Sequence, residues 1–264
     1  VKPIRHVFFD LDNTLWDFTR NSASVLEELY HHCALAGVGV PSAAAFVVRY
    51  EVHNEHAWGL YREGRLDPER LRWERYWRTL ADFGCDNRKL AIELSGAYLD
   101  MLAKRTLLMP GARKVLQRLH EHYPMHIVTN GFEDVQRNKL RHSGLDAYFH
   151  TVTTAEAAGA AKPDLRIFRK ALTDAGAQAA ESLYIGDHAL TDSSARSAGM
   201  HFLWYNPAIS GPLQPDAAPQ QGSNQGPGSF LPAPATKETG PEAELTVLQD
   251  LLDLPDWLLS HVRD

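Results

Sequence analysis

After Pro110-Gly111 the chain alternates between short apolar runs and amphipathic stretches, and no other feature restricts its possible folds as much. Residues 112–122 read as a helix, 125–129 as a strand, and 133–143 as a helix stopped by Gly144. A strand at 150–153 follows, then a helix opened by Pro163 and closed by Gly176. Next come a strand at 183–185, a helix ending near Gly199 and a strand at 201–205. Proline at a helix start and glycine just past its end is the asymmetry that helix termini favour. Strands joined through helices of this length run parallel, because a parallel pair needs a long crossover. The pattern predicts a parallel sheet flanked by helices.

One more strand lies far upstream. Residues 5–9 are apolar and run directly into Asp10. From about Asn21 to Arg105 no strand pattern appears; Val25, Leu26 and Leu29, then Phe46, Val47 and Tyr50, recur at helical spacing. Ser42 after Pro41 is an expected N-cap, and Gly37 and Gly84 are expected stops for three or four helices. The expected fold class is α/β: a Rossmann-like parallel sheet flanked by helices, with an all-helical domain inserted after the first strand. The core takes residues 1–16 and 107–264, and the insertion takes 17–106. Residues 207–241 are dense in Pro, Gly, Gln, Ala and Ser, too poor in apolar side chains to offset the entropy of ordering, and read as a flexible surface loop. Residues 242–262 return to an amphipathic helix, interrupted or ended near Pro255.

Charge narrows the partners. Lys and Arg total 27 against 33 Asp and Glu, a net charge of −6 that weighs against nucleic acid and anionic membranes. No apolar run approaches the ~18 residues of a membrane span. The first residues lack the basic-then-apolar pattern of a signal peptide. Cys33 and Cys85 stand outside any CxxC, as free thiols in a reducing compartment do, so the expected location is cytoplasmic. The 13 histidines show no zinc-ligand spacing.

The residues that carry chemistry stand at strand ends. Asp10 and Asp12 follow the first strand, where the carboxyl edge of a parallel sheet collects ligands. Two clustered carboxylates repel, so such a pair calls for a cation or a shared proton; a plain turn is the competing reading. Thr129-Asn130-Gly131 closes the next strand with a hydroxyl and free amides ahead of a helix, a ready anion site or an ordinary turn. Lys162 precedes a helix, and Asp187 and Asp192 follow a third strand. Each alone has an ordinary explanation. All of them together, on one edge of one sheet, do not.

In these motifs the chain resembles the haloacid dehalogenase-like hydrolase superfamily, in the subfamily whose α-helical cap lies between the first and second motifs. The stretch Thr129-Asn-Gly-Phe-Glu-Asp-Val-Gln136, with Lys139-Leu140, Ser143-Gly-Leu145 and Tyr148-Phe149, is similar to the noncanonical pyrimidine nucleotidases, as is His56-Ala-Trp-Gly-Leu-Tyr-Arg62. The 207–241 segment departs from the short connection usual there. The resemblance implies a Mg²⁺-dependent phosphatase of a small phosphorylated metabolite, most simply a nucleoside 5′-monophosphatase. It makes Asp10 the nucleophile and Asp12 the acid–base. Mg²⁺ is held by the Asp10 carboxylate, the Asp12 main-chain carbonyl and Asp187. Thr129, Asn130 and Lys162 hold the phosphoryl oxygens, and Asp192 orients the site through water or Lys162.

Other readings stay open: a phosphatase for phosphoglycolate or a sugar phosphate, a phosphomutase, a dehalogenase or a non-catalytic binding module. An acid at position 12 favours phosphoryl transfer, since a halide leaving group needs no proton. His53, Trp58, Tyr61 and Arg62 are read either as pocket lining or as cap core with a solvated arginine. Trp16, Asp17 and Phe18 stand where the chain leaves the active site, and are expected to meet the leaving group. Oligomeric state is left open.

Overall fold

The computed structural model describes residues 2–208 and 245–261. Its sheet is parallel throughout. The strands are β1 (His6–Phe9), β2 (Met125–Thr129), β3 (Phe149–Thr154), β4 (Ser182–Gly186), β5 (His201–Tyr205) and β6 (Val247–Leu248), in the order β3-β2-β1-β4-β5-β6. The central strand β1 is buried on both faces, as a parallel strand covered by helices must be. Successive side chains point to opposite faces, so Val7 and Phe9 enter one core and Phe8 the other.

A block of four helices follows β1: α1 (Phe18–His32), α2 (Ala43–Arg62), α3 (Pro68–Asp82) and α4 (Arg88–Leu102). Each starts the same way. Asp17, Ser42, Asp67 and Asn87 accept the amide hydrogens of Arg20, Ala45, Arg70 and Leu90, satisfying donors the first turn leaves unpaired. The apolar face of α1 (Val25, Leu26, Leu29) packs with Phe46 and Tyr50 of α2 and with Leu94 and Tyr98 of α4. This core continues through Leu11, Leu15 and Trp16 to the sheet.

The remaining helices are α5 (Ala112–His120), α6 (Glu133–His142), α7 (Ala155–Ala158), α8 (Leu165–Ala175), α9 (Ala189–Asp192) and α10 (Leu254–His261). Ile167 and Phe168 of α8 cover the second face of the sheet, against Phe8, Val128 and Tyr184.

Three expectations need correcting. The helix closed by Gly176 does not start at Pro163; Asp164 caps it by accepting from the Arg166 amide, and Pro163 precedes the cap. Gly37 is not a helix stop, since α1 ends at His32 and Gly37 lies inside a short 3-10 turn, Leu35–Val38. The C-terminal helix is shorter than its pattern suggested. Val247 and Leu248 pair with Trp204 and Tyr205 as an edge strand, a tertiary contact that periodicity does not reveal. Pro255 opens α10 rather than ending it, because a proline in the first turn costs no hydrogen bond. The expected loop at 207–241 lies outside the described residues apart from Pro207 and Ala208.

Candidate active site

Every expected site residue reaches the carboxyl edge of the sheet. Asp10 follows β1, and its amide still donates to Ile185 O at 2.8 Å, which fixes it beside β4. Thr129 closes β2, Asp187 follows β4, and Lys162 stands between α7 and α8. The side chains of Asn130 and the main chain of Lys162 are mutually tied. Asn130 Oδ1 accepts from the Lys162 amide at 2.7 Å, and Asn130 Nδ2 donates to Lys162 O at 3.0 Å. This pair of hydrogen bonds between loops sets where the lysine starts.

Lys162 is 3% exposed, and its ammonium uses all three hydrogens. Nζ lies 2.6 Å from Asp10 Oδ1, 2.7 Å from Asp192 Oδ1 and 2.9 Å from Tyr184 OH. Asp192 Oδ2 accepts from the His188 amide at 3.0 Å, so Asp192 is held from both sides. Gly186 is required by this packing, because a Cβ there would fall onto the Asp192 carboxylate. Asp10 Oδ2 makes no hydrogen bond among the described residues.

Asp12 has its own lysine. Lys139 Nζ lies 2.6 Å from Asp12 Oδ1, and Gln136 Nε2 donates to Asp12 Oδ2 at 2.8 Å. The other Gln136 amide hydrogen goes to Thr129 Oγ1 at 2.7 Å, and the Gly131 amide also donates to that oxygen at 3.1 Å. Thr129 thus receives two hydrogen bonds and keeps its own hydrogen for another acceptor. A Cβ on Gly131 would meet the Gln136 amide, so the turn after β2 is built around that contact.

Negative charge exceeds positive here. Burial pushes Asp10 up to about 7 against the pull of Lys162, with Asp192 and Asp12 adding to the rise. Burial, then Asp10 and Asp192, push Asp187 well above the usual carboxylate range. Asp187 Oδ1 has the Thr14 hydroxyl at 3.4 Å and no ion pair among the described residues. Burial works against charge on Lys162, yet Asp10 and Asp192 hold it protonated far above its ordinary value. Burial lowers Lys139 despite Asp12. Among the described residues no three His, Cys, Asp or Glu side chains form a metal cluster. The donor set that fits a small hard cation is smaller: the Asp10 carboxylate, whose rise Lys162 only partly offsets, and the Asp187 carboxylate, which has no ion pair among the described residues.

A cleft of about 240 Å³ opens over this edge. Asp10, Asp12, Thr129, Asn130, Lys162, Asp187 and Asp192 line its floor; Phe18, Asn54, Trp58, Arg62 and Arg75 come from the helical block. The expected aromatics divide. Trp58 lines the cleft, whereas Tyr61 packs edge-on against it with centroids 5.6 Å apart and lies outside the lining. Arg62 lines the cleft and pairs with Glu55 at 2.8 Å; it is not merely solvated. His53 bonds Asp82 instead, at 2.9 Å. Of the turn after β1, Phe18 faces the cleft but Trp16 does not. Its ring is wholly buried beneath Lys139, whose Nζ is 4.3 Å from the ring centre, and Asp17 is spent as the cap of α1.

Gln136, Lys139, Tyr184 and Thr14 also reach this edge, with no role expected from the sequence. A signal for two of them existed. Gln136 and Lys139 are three apart on the α6 face that buries Val135 and Leu140, and a polar pair inside an apolar stripe must bond something.

The family model for haloacid dehalogenase-like hydrolases matches residues 4–199, which contain every residue lining this cleft. The chain belongs to that family. Among curated relatives, this hydrolase is 30% identical to the pyrimidine 5′-nucleotidase PynA of Streptococcus pneumoniae over 206 residues, 77% of this chain and 84% of the relative. It is also 30% identical to a glyceraldehyde 3-phosphate phosphatase of Pyrococcus abyssi, over 76% of this chain and 81% of that one. Among solved structures, the magnesium-bound HAD-hydrolase YfnB of Bacillus subtilis superposes on the hydrolase with a TM-score of 0.75 at 24% identity, covering 97% of this chain and 99% of the other. That likeness establishes the Rossmann-type fold.

Proposed function

We propose that this hydrolase is a Mg²⁺-dependent phosphomonoesterase that works through an aspartyl-phosphate, and that its substrates are nucleoside 5′-monophosphates. One observation carries the chemistry: Asp10 and Asp12 sit at one strand end with separate lysines, so the two carboxyl groups stand in different environments and serve different steps.

Lys162 occupies Asp10 Oδ1, which leaves Oδ2 to attack phosphorus. As the new P–O bond forms, the bond to the leaving oxygen breaks, and Asp12 in its acid form gives that oxygen a proton. Giving up the proton returns Asp12 to the carboxylate that Lys139 and Gln136 bind. Asp12 then takes a proton from a water attacking the phosphorus of the aspartyl-phosphate. The P–O bond to Asp10 breaks, releasing inorganic phosphate and the free carboxylate. The Thr129 hydroxyl and the Asn130 amide hold the phosphoryl oxygens, and Lys162, whose three hydrogens go to Asp10, Asp192 and Tyr184, adds positive charge beside them, where charge stabilisation supplies most of the rate. Asp10, Asp187 and the Asp12 main-chain carbonyl would hold Mg²⁺, which supplies positive charge against the incoming dianion when bound.

The α1–α4 block acts as a cap, closing the cleft over the leaving group. Arg72 links it to the core: it stacks on Phe132 at 4.0 Å and pairs with Asp134 at 2.9 Å. Trp58 in the lining and the nucleotidase relatives support a nucleoside as leaving group; the glyceraldehyde 3-phosphate phosphatase relative supports a smaller one as the second reading. The test is a kcat/KM panel with Mg²⁺ across pyrimidine and purine monophosphates, glyceraldehyde 3-phosphate, phosphoglycolate and hexose phosphates. A pyrimidine monophosphate should rank first; a three-carbon phosphate ranking first overturns the nucleotide assignment while leaving the chemistry in place.

A further inference from the structure

Arg75, on α3, is 3% exposed and makes no ion pair among the described residues. Its guanidinium lies 5.3–5.8 Å from the ring centres of Tyr50, Tyr76 and Tyr98. Nη1 donates to Asn54 Oδ1 at 2.6 Å, while the buried Nε–H has no partner. A buried guanidinium without an anion is costly, and a helix core selected for stability alone would replace it with an apolar side chain or at least pair it. The neighbouring residue shows what that looks like, since Glu74 pairs with both Arg70 and Arg78. Arg75 instead lines the same cleft as Asp10, Asp12, Thr129 and Lys162, and Asn54 lines it beside Arg75.

We propose that Arg75 and Asn54 form a distal subsite that binds an oxygen acceptor on the leaving group, at the end away from the phosphoryl group. The assignment rests on the phosphatase reading above. Arginine offers only N–H donors, and Asn54 has already committed its carbonyl oxygen to Arg75, which leaves its NH₂ for a ligand. Two side chains that present donors select an acceptor and reject a leaving group without one, because the buried donors then stay unpaired. On a pyrimidine nucleotide the acceptor is a ring carbonyl; on an acidic phosphomonoester it is a carboxylate. The tyrosine rings hold the guanidinium fixed in direction between turnovers. Arg75 touches the leaving group rather than the reacting atoms, so it determines specificity and takes no part in bond making.

The experiment compares kcat/KM for uridine 5′-monophosphate, phosphoserine and phenyl phosphate in the wild type, Arg75→Met, Arg75→Lys and Asn54→Leu, with melting temperatures recorded for each. The subsite predicts that Arg75→Met loses about 10- to 100-fold more on the preferred acceptor-bearing substrate than on phenyl phosphate, with Arg75→Lys recovering part of the difference. Asn54→Leu should show the same selective loss at smaller size, which keeps the test alive should Arg75→Met fail to fold. Uridine alone should raise the wild-type melting temperature more than that of Asn54→Leu. Equal losses on all three substrates overturn the subsite and leave the phosphatase reading standing. A wild-type preference for phosphoserine, lost selectively in Arg75→Met, supports the subsite and overturns the nucleotide assignment. No turnover of any phosphomonoester overturns the reading beneath both.

Discussion

Lys139 Nζ lies 2.6 Å from Asp12 Oδ1 and 4.3 Å from the centre of the Trp16 ring, so the second carboxylate is clamped by a lysine seated on a buried indole. Charge-assisted bonds of this kind fix direction as well as charge. Lys139→Met should keep the fold, since methionine fills the same channel over Trp16, but should lower kcat/KM by about 10- to 100-fold through loss of an oriented charged hydrogen bond. Steady-state kinetics beside a melting curve check this. A loss under twofold would make Lys139 a structural residue.

Gly186 and Asp192 make a second, purely steric prediction. A methyl group at 186 must displace the Asp192 carboxylate, which would then leave Lys162 with Asp10 and Tyr184 alone. Gly186→Ala should therefore reduce activity at least as much as Asp192→Asn does, although it changes no functional group. Comparing the two variants on one substrate decides the matter; near-native turnover in Gly186→Ala would show that Asp192 has room to move without consequence.

Asp10 links activity to stability. Burial and neighbouring acids raise its folded carboxyl to about 7, above its unfolded value near 3.9. The folded state thus binds the proton more tightly. The stability this gives is fully present below the unfolded value and is lost as pH rises through 7. At pH 8 in EDTA, Asp10→Asn should melt a few degrees above the wild type, because an amide avoids the buried charge. Mg²⁺ should raise the wild-type melting temperature and shift Asp10→Asn much less. Equal Mg²⁺ shifts in both proteins would remove Asp10 from the metal site.

The sheet was legible in the sequence because its strands are short apolar runs bounded by Gly and Pro, and 125–129 and 201–205 match the observed strands to the residue. The placement of the candidate site was legible where an acid, hydroxyl or lysine stands at such a boundary. What escaped is contact between elements. β6 exists because Val247 and Leu248 meet β5, and Gln136 and Lys139 matter because α6 turns them onto the end of β1. Trp16 reads as a cleft residue by its position just after the Asp10–Asp12 motif, yet the fold buries it wholly beneath Lys139.

A histidine ladder on the sheet gives a pH dependence remote from the active site. His126 of β2 is buried, stacked on Phe8, and bonded to Thr151 at 2.8 Å and to His6 at 3.2 Å. Burial, with His6 and His150 adding, lowers it to about 4, below the unfolded value near 6.5. Between these values the unfolded chain binds more protons, so the contribution to stability is whole above pH 6.5 and is lost as pH falls toward 4. Unfolding in urea should show roughly 2 kcal/mol less stability from this group at pH 5 than at pH 7, and His126→Gln should flatten the profile. An unchanged slope in that variant would place the acid sensitivity elsewhere.

The covalent step at Asp10 forms an acid-stable acyl phosphate that can be trapped. Wild-type enzyme mixed with a ³²P-labelled nucleoside monophosphate and Mg²⁺, then quenched in acid within milliseconds, should carry label on the peptide containing Asp10. Asp10→Asn should carry none and should lose turnover by several orders of magnitude. Labelled inorganic phosphate released in the first turnover with no protein-bound phosphate, or turnover by a deamidation-checked Asp10→Asn within tenfold of wild type, would contradict the nucleophile assignment.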